Sequence, residues 1–347
     1  MNQLPSYLQF SDNPSDVIEG LKDKWQVDHI AILVDENTQK HCLPLLNLKN
    51  TEVVEIQSGE IHKTLQTCEA LWKALTDLKF SRKSMVLNLG GGVIGDMGGF
   101  VASTYKRGIK FINLPTTLLS QVDASIGGKL GIDFGSLKNH IGVFKEPDQV
   151  IINTHFLQTL PDRELRSGFA EVIKHALIAD SEHWNYLKDQ DFNKLDWNKI
   201  IPKSVAIKNQ VVESDPLENG LRKVLNFGHT LGHAIESFLL QSSAPLLHGE
   251  AIGVGMILES HLSYQKDWIT SDQLNEITSF IIPFYSHLPK HLPDLEEIYS
   301  YLLQDKKNDA LGINFSLIKG IGGCEFDQKV SQDMISLAID YYQDLYK

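Results

Sequence analysis

The feature that most limits what this chain can fold into is an alternation of short apolar runs with helical patterns in its first half. His29 to Val34 (HIAILV) closes on Asp35-Glu36-Asn37, which reads as a buried parallel strand with polar groups at its C-terminal tip. Glu52 to Ile56 closes on Ser58-Gly59-Glu60, and a helical pattern follows through Leu65, Leu71, Trp72, Leu75 and Leu78. Met85 to Leu89 then runs into Gly90-Gly91-Gly92-Val93-Ile94-Gly95-Asp96. Strand, helix, strand, helix, strand implies a right-handed parallel α/β domain. Ligands of such sheets bind beyond the carboxyl ends of the strands. Phe111 to Leu114, closing on Pro115-Thr116-Thr117, and Gln149 to Asn153 extend the series.

Glycines after a strand let the backbone approach a pyrophosphate, and the following helix N-terminus attracts its charge. GGGVIGD lacks the usual G-x-G-x-x-G spacing, so by itself it is a weak signal, and a tight strand-to-helix turn is the plainer account. Between Gly90 and Gly142 fall 12 of the chain's 25 glycines. Such a stretch is expected to be mostly loop and close backbone approach, not packed helix. Lys129, Lys138 and Asn139 are therefore expected on loops.

After Leu160-Pro161-Asp162 the pattern turns helical, with Pro161 suited to a first turn. The domain boundary is expected near residue 158. The remainder reads as mainly helical, with hairpin-like strands around Ile313 to Ile318. Within it, His229 and His233 in Asn226-Phe227-Gly228-His229-Thr230-Leu231-Gly232-His233 stand four apart, on one face of a helix. Such a pair can grip a divalent cation through neutral imidazoles, and His248 in Leu247-His248-Gly249-Glu250 offers a third nitrogen. Glu171, Lys174 and His175 share another helical face, flanked by Ala, Val, Ile and Leu, where a carboxylate would complete a three-ligand site. Spacing alone leaves His229, His233, His248 and His175 all open as ligands. A solvated ion pair remains the plainer account of Glu171 and Lys174.

The length of 347 residues suits about two domains, at roughly 150 residues each. A net charge of -12 argues against a nucleic-acid partner but leaves room for an anionic small substrate, because cations can gather in one cleft. Cys42, Cys68 and Cys324 are few, odd in number and far apart, as reduced thiols of a cytoplasmic protein would be. No signal peptide is read at the N-terminus, and no apolar run approaches the ~20 residues that span a bilayer.

Five segments, GGGVIGDMGGF, LPTTLLSQVDASIGGK, SGFAEVIKHALI, LNFGHTLGHAIE and LLHGEA, occur together and in order. In them the chain resembles the 3-dehydroquinate synthase family, from about Asp35 to Asp305-Lys306-Lys307. The resemblance implies a Rossmann-like α/β NAD domain over residues 1–158. It implies a mainly α-helical metal and substrate domain over 159–347, with the active site between them. It implies one divalent metal, zinc or cobalt, on Glu171, His229 and His248, leaving His233 to meet substrate and relay protons. It implies NAD on Asp35, Glu60, Lys63, Gly91, Gly92, Val93, Asp96, Thr116, Thr117, Lys138 and Thr159, with Lys129 beside them. The substrate would be a seven-carbon keto-acid phosphate. Its carboxylate would meet Lys129, Lys208 and Arg222, and its phosphate Asn139, Lys174, Asn226, His233 and Lys306 or Lys307. Arg107 would reach a partner's phosphate across a homodimer, and Asp123 and Glu218 fall at further site positions.

That family oxidises a secondary hydroxyl with NAD, eliminates phosphate, returns the hydride, then opens and recloses the ring by an intramolecular aldol step. The departures are small: His175 follows Lys174 where tyrosine or threonine is frequent, GDMGGF differs before its second glycine pair, and Pro216 loosens the stretch around Glu218. Rival readings are another sugar-phosphate cyclase or a metal-dependent polyol dehydrogenase on the same scaffold, and a silent NAD- or metal-binding regulator. The carboxylate-binding set speaks against the first two, and the complete ligand set against the third.

Overall fold

The computed structural model describes residues 4–135, 137–240, 242–303 and 313–347, in two units, Met1–Leu165 and Arg166–Lys347. The boundary expected near residue 158 falls in the 3-10 turn Thr154–Thr159, just ahead of the helix in which the division lies.

In the first unit the strands are β1 (Leu8–Phe10), β2 (Ile30–Asp35), β3 (Glu52–Ile56), β4 (Met85–Gly90), β5 (Lys110–Pro115), β6 (Lys129–Phe134), β7 (Leu137–Phe144) and β8 (Gln149–Ile152). Six of them form a parallel sheet in the order β1-β8-β5-β4-β2-β3. The helices are α1 (Pro14–Trp25), α2 (Glu36–His41), α3 (Leu65–Asp77) and α4 (Gly92–Thr104). Alternate residues of one strand serve opposite cores. Ala31, Leu33 and Val86 join Cys68, Leu71 and Leu75 of α3 and Ile94, Met97 and Val101 of α4. Ile30, Ile32, Val34, Met85, Leu87 and Leu89 join Ile18 of α1 on the other side. Both faces are covered, which is why these strands read as apolar runs, broken only by Asn88, whose amide donates to Asn113 Oδ1.

Two expectations need correction, and one strand was not anticipated. The glycine-rich stretch is not mostly loop: from Gly92 it forms the 13-residue helix α4. Its glycines let that helix lie close on the sheet. A Cβ on Gly98 would stand 2.0 Å from Asn88 Oδ1, and one on Gly99 would stand 2.5 Å from Leu130. Lys129, Lys138 and Asn139 sit on β6 and β7, an antiparallel hairpin, not on loops. β1 was not expected; at three residues, LQF, it is too short to carry a period, and its parallel register with β8 defines it.

The second unit holds α5 (Asp162–Ala179), α6 (Ser181–Lys188), α7 (Trp197–Ser214), α8 (His229–Leu239), α9 (His248–Gln265), α10 (Ser271–Phe284), α11 (Leu295–Leu303) and α12 (Gln332–Asp344). β9 (Phe315–Ile318) lies where strands were expected and pairs antiparallel with β10 (Cys324–Gln328). α9 is buried along nearly all its length, from Gly249 to Ser260, and packs against α8, α10 and α12. No helix among the described residues is long and apolar enough to cross a membrane.

Candidate active site

Glycines bring three helices of the second unit together around Glu171, His229 and His248. Gly228, at a left-handed φ of 79°, turns the chain into α8, so that His229 begins the helix. A Cβ on Gly255 of α9 would stand 1.8 Å from the Gly228 carbonyl oxygen, so the backbones of α8 and α9 touch. A Cβ on Gly249 would stand 1.8 Å from the Ser167 carbonyl oxygen, and Ser167 Oγ accepts from the Gly249 amide at 2.9 Å, which ties α9 to α5. Gly255→Ala is expected to cost about 3 kcal/mol, seen as an earlier denaturant midpoint than the parent's.

The result is a cluster of donors. Glu171 Oε1 lies 3.5 Å from His229 Nε2 and 3.6 Å from His248 Nε2. Glu171 is fully buried and forms an ion pair with Lys174, itself buried, which rules out the solvated pair considered above. His229 Nδ1 lies 3.1 Å from the Phe227 carbonyl. A carbonyl can only accept, so Nδ1 carries a proton, which leaves Nε2, on the Glu171 side, as the nitrogen that can serve as a ligand. His248 Nδ1 faces Glu236 Oε2 at 3.4 Å, so its Nε2 likewise points to the Glu171 side. Burial opposes charge on His248, but hydrogen bonds to Glu171 and Glu236 outweigh it and raise its pKa to about 10. A cation taking that nitrogen would displace a proton.

One carboxylate and two imidazoles, the latter oriented through their second nitrogens, are a donor set suited to zinc or cobalt with a coordination position left open. His233 completes a ring of three imidazoles: its centroid is 5.0 Å from that of His229 and 5.5 Å from that of His248. The nitrogens of all three come within 4.8 Å of one another, so His233 stands at the cluster and not apart from it. His175 is buried, with Nδ1 2.6 Å from Ser204 Oγ of α7.

Lys208 on α7 and Arg222 in the turn Leu221–Asn226 are both buried. Arg222 donates from Nη1 to the Pro216 carbonyl at 2.7 Å, and Asp215 accepts from the Gly220 and Arg222 amides, which shapes that turn. Asn226 donates to Glu218 Oε1 at 3.2 Å, so these two expected site residues are brought together. Lys306, with Lys307, lies outside the described residues.

In the first unit, β2 pairs with β4 on one side and β3 on the other, so the strand order reverses between β2 and β4. Dinucleotides bind at such a switch point. Asp35 ends β2, Gly91 begins the turn from β4 into α4, and Thr116 follows β5, its amide bonded to the Gly90 carbonyl. Gly92 and Val93 open α4, with no side chain capping that end of the helix. Asp35 also caps α2, its Oδ1 accepting from the Thr38 amide at 2.7 Å. Lys63, 3% exposed, gathers three other expected residues by donating to Asp96 Oδ2 at 2.6 Å and Asn139 Oδ1 at 2.5 Å, with Glu60 at 3.8 Å. Thr117 pairs with Ser120, Asp123 lies in the turn Ser120–Ala124, and Thr159 is exposed at the end of its own turn. Lys129 and Lys138 are exposed on the hairpin. A glycine turn at the switch point with an acidic residue on the neighbouring strand tip fits NAD.

Arg107 is not with these groups. It precedes β5 and so stands at the N-terminal edge of the sheet, a strand length of roughly 20 Å from the glycine turn. Its φ of 68° lies in the left-handed region. It lines a groove with Arg82, Lys110 and Lys145.

Two groups escaped the sequence reading. Glu236 stands three residues after His233, and Glu259 is an acid within the apolar run of α9. A carboxylate in mid-helix, directly after the apolar run Met256-Ile257-Leu258, is the signal that could have found the latter.

Comparison with known proteins agrees with the architecture. The family model described as 3-dehydroquinate synthase N-terminal matches residues 53–167, and that described as 3-dehydroquinate synthase C-terminal matches 168–308. A curated 3-dehydroquinate synthase of Parabacteroides distasonis is 39% identical over 324 residues, covering 91% of this chain and 92% of that protein. Among solved structures, 2-epi-5-epi-valiolone synthase from Streptomyces hygroscopicus, with NAD+ and Zn2+ bound, superposes with a TM-score of 0.85 at 25% identity, covering 99% and 98% of the two chains. A 2-deoxy-scyllo-inosose synthase complexed with carbaglucose-6-phosphate, NAD+ and Co2+ gives 0.83 at 24% identity, covering 96% and 95%, and bears on the fold alone.

Proposed function

The chain belongs to the 3-dehydroquinate synthase family, and from that premise we propose that it converts 3-deoxy-D-arabino-heptulosonate 7-phosphate to 3-dehydroquinate and phosphate. This makes it a carbon–oxygen lyase of the shikimate pathway, feeding aromatic amino acid biosynthesis. The observation that carries the reading is the convergence of Glu171, His229 and His248 on one point, with buried Lys174 beside it.

When bound, the cation supplies Lewis acidity to a substrate oxygen, and NAD supplies a hydride acceptor that is restored within each cycle. Glu171, His229 and His248 hold the cation, and the strand tips from Asp35 to Thr116 hold NAD. Lys129, Lys208 and Arg222 take the carboxylate; Asn139, Lys174, Asn226 and His233 take the phosphate. Fixing both ends of a flexible anion is an entropic task, and point-charge lysines and a forked arginine suit it. His233 carries a proton at an imidazole nitrogen close to the ligand pair.

Supplying the keto-acid phosphate with catalytic NAD and the metal should release one phosphate per cyclic product without accumulating NADH. Steady NADH from a simple polyol would instead favour a dehydrogenase. Another sugar-phosphate cyclase remains the second reading, since 2-epi-5-epi-valiolone synthase shares the fold; turnover of a neutral sugar phosphate but not the acid would select it.

We place the protein in the cytoplasm as a homodimer. Its cysteines Cys42, Cys68 and Cys324, none of them in a disulfide, suit a reducing compartment. The distance of Arg107 from its own glycine turn suits an arginine that serves a partner's phosphate. Arg107→Ala should therefore lose activity, and mixing it with an inactive His248→Ala chain should restore up to about a quarter of it, as random pairing of subunits dictates. No recovery on mixing would count against an arginine acting in trans.

A further inference from the structure

We infer that Glu259 is a positioning residue for the metal site, acting on His229 through a single peptide unit. The inference rests on the reading of His229 as a ligand. Glu259 sits on α9, fully buried, and its Oε2 accepts from the Gly228 amide at 2.6 Å while Oε1 accepts from the Leu231 amide at 3.0 Å. Both donors belong to the N-terminal turn of α8, where amides have no partner in their own helix, and Gly228 brings no side chain to cap them. The carboxylate thus replaces a cap and meets the positive end of the helix.

The Gly228 N–H and the Phe227 C=O are the two ends of one amide plane. Glu259 grips the first, and His229 Nδ1–H, 3.1 Å away, donates to the second. A negative charge on the N–H side polarises the amide and makes its carbonyl a stronger acceptor. A stronger acceptor holds the imidazole in its Nδ1–H tautomer and enriches the lone pair at Nε2, the atom 3.5 Å from Glu171 Oε1. The series carboxylate, amide, imidazole and cation does for His229 what Glu236 does directly for His248.

The test uses Co2+ as the probe, with the full chain. Glu259→Gln keeps the shape but removes the charge, and its NH2 must face one of two N–H donors. We expect about 10- to 100-fold weaker Co2+ binding in competition with a chelator and shifted visible absorption bands, in a protein that still unfolds cooperatively. Parental affinity and an unchanged spectrum in the folded variant would overturn the inference. If that variant folds poorly, 15N-histidine spectra of the metal-free parent decide: His229 protonated at Nδ1 supports it, and protonation at Nε2 alone overturns it. His229→Ala is the control that separates the two levels. Parental Co2+ affinity there would remove His229 from the ligand set and take this inference with it.

Discussion

In a His248→Ala chain, bound metal is expected to fall to about a tenth or less after dialysis, and turnover of the keto-acid phosphate by about 1,000-fold. His248 leads α9 and brings Nε2 to 3.6 Å from Glu171 Oε1, so its removal leaves one carboxylate and one imidazole from the proposed set. Two protein donors are too few for a zinc or cobalt site that must still leave room for substrate. The side chain is 28% exposed, so the truncation opens no closed cavity, and the fold should survive. Metal analysis beside an NAD titration checks both halves of the claim. Full metal content in the variant would remove His248 from the ligand set, and lost NAD binding would mean the damage reached beyond the metal.

Arg222→Ala is expected to raise KM for the substrate about 100-fold, the worth of a charged hydrogen bond lost from a buried place. NAD affinity should stay within a factor of about two, since the residue belongs to the second unit. Arg222 is 2% exposed, and its turn is held by Asp215 through backbone amides and not through the guanidinium alone. The turn therefore has a reason to persist without the side chain. Arg222→Lys, which keeps a charge but not the planar fork, should recover only part of the loss. Equal losses for substrate and NAD would show that the carboxylate contact lies elsewhere.

The parts of the fold that could be read from sequence are those where burial forces a pattern. β2 and β4 are covered on both faces, so HIAILV and MVLNL are almost wholly apolar, and the one buried polar side chain within them, Asn88, donates to Asn113 Oδ1 at 2.8 Å. What could not be read was set by contacts distant in sequence. The glycines of α4 looked like loop because their use, room for Asn88 and Leu130, belongs to neighbouring strands. The hairpin of β6 and β7 was hidden by the same glycine-rich composition, and β1 is defined only by β8, some 140 residues away. In the site, the i,i+4 spacing placed His229 and His233 on one helix. No spacing rule connects either to Glu171 on α5 or His248 on α9. Motif resemblance supplied that set, and the distances now bring Glu171, His229 and His248 together. Glu259 lay beyond both routes, because its partners are backbone amides that no side-chain pattern announces.

The meeting of Gly255 with the Gly228 carbonyl has a bearing on redesign. Nothing compressible stands between those two main chains, so the spacing of the imidazoles they carry cannot be tuned by trimming a side chain. An engineer wanting to host a larger ion would have to wedge the helices apart, at a cost in folding, or recruit a ligand from some other element.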